Sequence, residues 1–214
     1  GIEYFFKRAP GFFDVVAYTG TGSARNINHN LTVEPELAII KSKSATGSWI
    51  VGSTAFSSGG HLVLDESGGM NNVGSTTRLV YANWSSTVLG IGADSDVNNS
   101  GTNYVALLFA SLAGISKVGT YTGTGSDGNN IDCGFTNGAR FVLVKRTDSS
   151  GEWFVADTVR GINAGNDPFL NINNTNAENN TVDWIDSYSA GFTINGTGGD
   201  FNASGGTYVF LAIA

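Results

Sequence analysis

Cysteine and methionine each occur once in these 214 residues, histidine twice and proline three times. A lone Cys133 cannot close an intrachain disulfide, so stability has to come from packing or from assembly. Two histidines, His29 and His61, leave little material for general acid–base chemistry or for a histidine-rich metal centre. Charged residues make up only 14% of the chain and balance at −7, which argues against a basic phosphate-binding face and against nucleic acid as a partner. No apolar run approaches the roughly 20 residues of a membrane-spanning helix, so membrane insertion is not expected. A convincing helical stretch is missing too.

What is present is turn and strand chemistry. Thirty glycines, with abundant Ser, Thr and Asn, punctuate short runs of Val, Ile, Phe and Tyr, the composition of half-buried strands joined by tight turns. The chain also repeats itself. VVAYTGTGS around Tyr18 returns as VGTYTGTGS around Tyr121, an offset of 103. Leu37–Lys41 (LAIIK) returns as Phe141–Lys145 (FVLVK), and Gly47-Ser48-Trp49 as Gly151-Glu152-Trp153, both at 104. NNSGTNY at Asn98 and NASGGTY at Asn202 keep that offset, as do the closing runs VALLFA from Val105 and VFLAIA from Val209. Trp84 and Trp184 lie 100 apart, so the loops between the anchors differ in length. The expected fold is all-β, with two tandem antiparallel β-sandwiches at residues 12–111 and 112–214, preceded by a strand and linker at 1–11.

Chemistry-bearing motifs are weak in this pattern. Gly123–Gly128 (GTGSDG) fits the dinucleotide fingerprint by its letters, but phosphate binding needs a following helix whose N-terminus faces the anion, and the stretch reads instead as a hairpin turn between strands. His29 aligns with Cys133, so the two copies do not hold that position chemically constant; Cys133 reads as a packed thiol. Glu34, Glu36, Asp65, Glu66 and Asp157 read as solvated strand ends and turns. Asp94, Asp96 and Asn98 could offer oxygens to calcium, yet Asp and Asn also build turns, and copy two has Thr197 and Asp200 there. No metal and no cofactor is expected. Trp84 and Trp184 are the candidate residues for stacking on sugars, against the alternative of core packing. N-x-S/T triplets at Asn30, Asn83, Asn98, Asn173, Asn179, Asn195 and Asn202 are formal glycan acceptors.

FFKRAPGFFDVVAYTGTGS, INHNLTVEPELAIIKSKS, YVALLFASLAGISKVGTYTGTGS and GFTNGARFVLVKRTDSSGEWFVADTVRGINAGNDPF carry a resemblance over nearly the whole chain. Together they resemble a family of tandem-repeat virion structural and tail-fibre-like proteins of bacteriophages, aquatic ones especially. Copy one departs from the pattern with Ser42-Lys43-Ser44 where copy two has Arg146-Thr147-Asp148. The resemblance implies a structural role at a virion surface or in an extracellular filament, and it supplies no catalytic residues. In longer members an FFK-A-P segment closes an upstream, often lectin-like domain.

Three classes of function follow. The leading one is a non-enzymatic structural subunit of a fibre or virion appendage that assembles with copies of itself. The second is a carbohydrate-binding adhesin whose partners are surface glycans. A hydrolase on an all-β scaffold is the third, with no constellation visible for it. The N-terminal segment sharpens the first. Ile2, Tyr4 and Phe6 align with Val105, Leu107 and Phe109 and alternate as one face of a strand, which makes three closing strands for two bodies. Ile2, Tyr4, Phe5 and Phe6 are therefore the expected subunit interface, added to a neighbouring copy as a strand, against the alternatives that residues 1–9 are the remnant of an upstream domain or fold back on their own sandwich.

Overall fold

Short runs of branched and aromatic side chains, cut by Gly, Asn and Ser turns, form strands throughout the computed structural model, which describes residues 3–56, 60–72 and 75–214. In chain order these are β1 (Phe13–Thr19), β2 (Arg25–Asn28), β3 (Leu37–Ser42), β4 (Ile50–Ser53), β5 (Leu62–Val63), β6 (Val88–Ile91) and β7 (Asn103–Phe109). Then follow β8 (Ser116–Thr122), β9 (Asn129–Asp132), β10 (Phe141–Arg146), β11 (Trp153–Asp157), β12 (Leu170–Asn171), β13 (Ile185–Tyr188), β14 (Gly191–Ile194) and β15 (Thr207–Ile213). Among the described residues two single-turn α-helices, α1 (Ser75–Arg78) and α2 (Ser95–Asn98), and a 3-10 turn at Tyr81–Asn83 interrupt the series. The protein is thus all-β, and its strands pair antiparallel throughout.

Two units divide the chain: Gly1–His61 with Asn71–Ser111, and Leu62–Met70 with Leu112–Ala214. In the first lie the strands β1-β7-β3-β4 of a five-stranded sheet whose fifth member is β5, and a second sheet consists of β2 and β6. In the second, one sheet runs β8-β15-β10-β11-β12 and the other β13-β14-β9. In each larger sheet the closing run of its copy is an inner strand, β7 between β1 and β3 and β15 between β8 and β10. In β7, Tyr104, Ala106 and Leu108 are buried and alternate with partly exposed Val105 and Leu107, as a strand with unequal faces should. Ile40 faces Ala106 across the ladder and Val144 faces Phe210; Ile40 and Val144 are 0% exposed.

In the second unit the two sheets pack face to face. Phe192 of β14 meets Phe210 of β15 edge-on at 5.2 Å and Tyr121 of β8 at 6.5 Å, so the inner faces of both sheets share one core. Each such ring removed from water contributes roughly 1.5–3 kcal/mol before ordering costs.

The N-terminal segment differs from the expected strand. Ile2 lies outside the described residues, and residues 3–8 form no strand. A bridge between Ala9 and Phe13 turns the chain, with Gly11 at φ 75°. Phe6 lays its ring against Phe13 and Phe109, each 5.5 Å away, and Arg8 Nε donates to the buried carboxylate of Asp14 at 2.5 Å. The alternation of apolar residues is real, but here it anchors one ring and one ion pair on the segment's own unit and does not build a ladder. Tyr4 and Phe5 stay on the surface, Phe5 at 87% exposure.

The segment Leu62–Met70 is the second departure from a plain division at residue 112. Trp153 Nε1 donates to Val63 O at 2.9 Å and Gly151 N to Ser67 O at 2.8 Å, which builds this stretch into the second unit.

Candidate functional site

The stretch that most resembles a ligand loop is the repeated T-G-T-G-S, and the structure shows what occupies its donors. The stretch does not close a hairpin. It carries the chain from β1 to β2, and from β8 to β9, strands that belong to different sheets. In the first unit Thr21 N donates to Asn98 Oδ1 at 2.9 Å and Gly22 N to Asn98 O at 2.7 Å. Asn98 Nδ2 returns two bonds, to Ser23 O at 2.6 Å and Gly92 O at 2.7 Å. The second unit does the same with Asn202: Thr124 N to Oδ1 at 2.9 Å, Gly125 N to the carbonyl at 2.8 Å, Nδ2 to Ser126 O at 2.8 Å and to Gly196 O at 2.7 Å. Both asparagines are 0% exposed. The N–H groups that would cradle a phosphate are thus spent on a buried amide.

The glycines serve that contact. A Cβ on Gly20 would lie 2.2 Å from Asn99 O, and one on Gly123 2.2 Å from Ala203 O. Gly22 and Gly125 take φ of 74° and 69°, the left-handed region that glycine enters without cost from a Cβ. Gly123→Ala is expected to cost about 1–3 kcal/mol, because the backbone must back away from Ala203 and stretch the asparagine bonds. A thermal melt of the variant within a degree of the native protein would contradict this. Above each clasp a stacked tyrosine pair closes the sheet, Tyr18 on Tyr104 at 5.3 Å and Tyr121 on Tyr208 at 4.8 Å, with Tyr18 donating to Val97 O and Tyr121 to Phe201 O.

The other chemistry-bearing groups are also committed to the scaffold. Asp94 caps α2 by accepting Asp96 N, and Arg78 lies 3.5 Å from Asp94 and 2.8 Å from Asp96. That guanidinium already neutralises the carboxylates a cation would need, and Asn98 points into the clasp. His29 accepts Leu31 N on Nδ1 at 3.2 Å and places Nε2 3.2 Å from Ser85 O, so Nε2 carries the proton; burial lowers its pKa and keeps the ring neutral. Burial first, then the neighbouring Asp132, pushes the Cys133 thiol up to about 12, which makes it a poor nucleophile. His61 is 2% exposed. Asp157, expected in solvent, is instead 3% exposed, paired with Arg160 and accepting Val159 N and Arg160 N. Glu36 accepts Ser111 N and Oγ.

Both candidate sugar-stacking tryptophans are inside. Trp84 is 6% exposed, donates Nε1 to Gly90 O at 3.1 Å and packs on Tyr81; Trp184 is 0% exposed among Phe154, Phe169 and Phe201. Neither offers a ring face to a ligand. The same holds for the acceptor triplets at Asn98, Asn195 and Asn202, which are buried and have their amides engaged. A surface depression in the second unit is lined by Asn137, Arg140, Thr158, Ile162, Tyr188 and Ser189 among others. It combines amide, guanidinium, hydroxyl and phenol groups without a nucleophile and base in sequence.

Sequence reasoning missed Lys145. It is 0% exposed, donates to Ser67 O at 3.3 Å and Arg146 O at 2.9 Å, and burial lowers its pKa to about 8. Between the folded value and the ordinary 10.5 the unfolded chain holds the extra proton, so this group makes stability rise with pH above about 8. The gain is at most ~1.4 kcal/mol per pH unit. Chemical denaturation of the native protein against Lys145→Met at pH 8 and 9 should show that rise in the native protein only; parallel slopes would reject it. The available signal was the alignment of Lys145 with Lys41, which marked the position as repeated but not as buried.

No curated protein and no solved structure matches the chain. A family model does match, over residues 8–214, and so covers both clasps, both tyrosine pairs and the Leu62–Met70 segment. The chain belongs to the family described as a domain of unknown function, DUF7483.

Proposed function

We propose that this chain is a non-enzymatic structural subunit of an extracellular fibre or virion appendage that assembles head to tail with copies of itself. The observation that carries the reading is the commitment of its polar residues to scaffold bonds: loop N–H groups to Asn98 and Asn202, Asp94 and Asp96 to Arg78, His29 to the backbone of Leu31 and Ser85. Chemistry needs groups poised for a substrate, and these are already satisfied. The tandem arrangement and the resemblance to repeat-bearing virion proteins support the same reading, as does the exposed ring of Phe5.

Negative-stain microscopy and sedimentation of the purified protein across a concentration series test it. Filaments, rings or concentration-dependent oligomers are the expected result, and a monomer at every concentration overturns the reading. A carbohydrate-binding module is the second reading, now resting on the depression with Asn137, Arg140 and Tyr188 and not on the tryptophans. Glycan-array binding lost in Tyr188→Ala would promote it over the first.

A further inference from the structure

The depression in the second unit, about 390 Å³, gathers polar side chains that the scaffold leaves uncommitted. Asn137, Arg140, Thr158, Ser187, Tyr188 and Ser189 line it, and none of these side chains has a hydrogen bond or ion pair among the described residues. The other arginines are engaged. Arg8, Arg78, Arg146 and Arg160 hold carboxylates, and Arg25 donates to Thr19 O. Among the described residues no carboxylate lines the depression, in a chain where acidic residues outnumber basic ones 18 to 11. Its one charge is the Arg140 guanidinium, without a counter-ion.

The walls are fixed by main-chain bonds. Phe135 N donates to Ala190 O at 3.1 Å, Gly138 N to Ser189 O at 2.8 Å and Ala139 N to Gly191 O at 2.8 Å, which fastens the 134–139 loop to the turn between β13 and β14. Gly138 takes φ of 79°, and a Cβ there would stand 2.9 Å from Tyr188 O, so glycine is what lets the loop lie this close to the end of β13. On the opposite wall Asp157 Oδ1 accepts Val159 N at 3.0 Å and Arg160 N at 2.9 Å. Arg140 itself is held on both sides, its N–H donating to Ile213 O at 2.7 Å and its carbonyl accepting Thr158 N at 3.0 Å. Only its side chain is left to bind.

The repeat supplies an internal comparison. At the offset of 104, Glu34 stands at the place of Gly138 and Glu36 at that of Arg140. The Glu36 carboxylate is taken up by Ser111 N and Oγ. A strand start in this fold therefore accommodates either sign of charge, and the fold does not require the cation at 140.

We propose that the depression binds a sugar bearing a carboxylate. The inference rests on the carbohydrate-binding reading above and names its ligand class. Arg140 pairs with the carboxylate through two parallel N–H bonds, the partly buried Tyr188 ring meets the apolar face of the pyranose, and the Asn137 amide with the Thr158 and Ser187 hydroxyls meets the ring hydroxyls. A volume near the lower end of the roughly 300–1,000 Å³ of small-molecule sites suits the end or a short stretch of a saccharide. Walls that are already bonded leave little ordering cost to binding.

A glycan array carrying uronic- and sialic-acid sugars, their methyl esters and sulfated sugars tests this on the full-length protein, followed by calorimetric titration of the strongest acid. Acids should bind at least tenfold tighter than their methyl esters, and added salt should weaken them. Arg140→Gln should lower the acid to the level of its ester, and Arg140→Lys, which keeps the charge but not the fork, should fall between. Thermal melts of both variants should match the native protein, because the Arg140 side chain bonds nothing in the fold. Equal binding of acid and ester, or a preference for sulfated sugars, overturns the ligand class; where Tyr188→Ala abolishes that binding, the carbohydrate-binding reading stands. Binding that survives both Arg140→Gln and Tyr188→Ala, or an array with no binding at all, overturns both.

Discussion

Asn202→Ala is expected to lower the unfolding free energy of the second unit by about 3–5 kcal/mol, read as a shift of the urea midpoint at constant slope. The side chain is 0% exposed and serves three main-chain groups at once, Thr124 N, Ser126 O and Gly196 O. Each group stranded without a partner costs about 1–3 kcal/mol, and water entering the vacated space recovers only part of the total. Asn202→Asp separates this account from simple volume loss. Aspartate keeps an acceptor for Thr124 but turns the two donors into a second oxygen facing Ser126 O and Gly196 O, so it should be no better than alanine despite its equal size. Asn98→Ala should do the same in the first unit, through Thr21, Ser23 and Gly92. Losses under about 1 kcal/mol for both alanine variants would mean the clasp is incidental.

The clasp also shows what the sequence could and could not tell. Strand chemistry was legible because it is local: alternating apolar residues between Gly and Asn turns produce β1, β3, β7, β10 and β15 where the runs occur. The pairing of Tyr18 with Tyr104 and Tyr121 with Tyr208 was not legible, since it joins residues more than 80 positions apart, though YTGTGS and N-x-SG occurring together in both copies was the clue. Asn98 was weighed as a calcium ligand and as a glycan acceptor because those are the local motifs an asparagine can belong to. Its actual work depends on a loop 77 residues earlier. The N-terminal segment poses the opposite problem. Its alternation at Tyr4 and Phe6 satisfies a strand pattern, but a strand needs a ladder partner as well as a period, and along 3–8 the chain uses Phe6 and Arg8 as side-chain anchors. The tryptophans stayed open between two readings, because a ring suited to a sugar and a ring suited to a core are the same ring.

That last ambiguity yields the second large effect. Trp184→Ala is expected to cost about 3–5 kcal/mol, the range for emptying an aromatic site in a core. The indole is 0% exposed and touches Phe154 at 5.3 Å, Phe201 at 5.7 Å and Phe169 at 5.9 Å, so its loss removes the common neighbour of three rings. Phe154 and Phe201 come from β11 and the loop before β15, which ties the damage to the sheet carrying Lys145 and Trp153. Trp184→Phe should be far milder, about 1 kcal/mol. The indole Nε1 is buried without a hydrogen-bond partner, so phenylalanine removes an unsatisfied donor along with the lost area, and the two terms oppose each other. Urea unfolding followed by circular dichroism orders the native protein, the phenylalanine variant and the alanine variant. If Trp184→Ala instead unfolds with the native midpoint but loses binding on a glycan array, the indole is a ligand contact and the packing account of this residue is wrong.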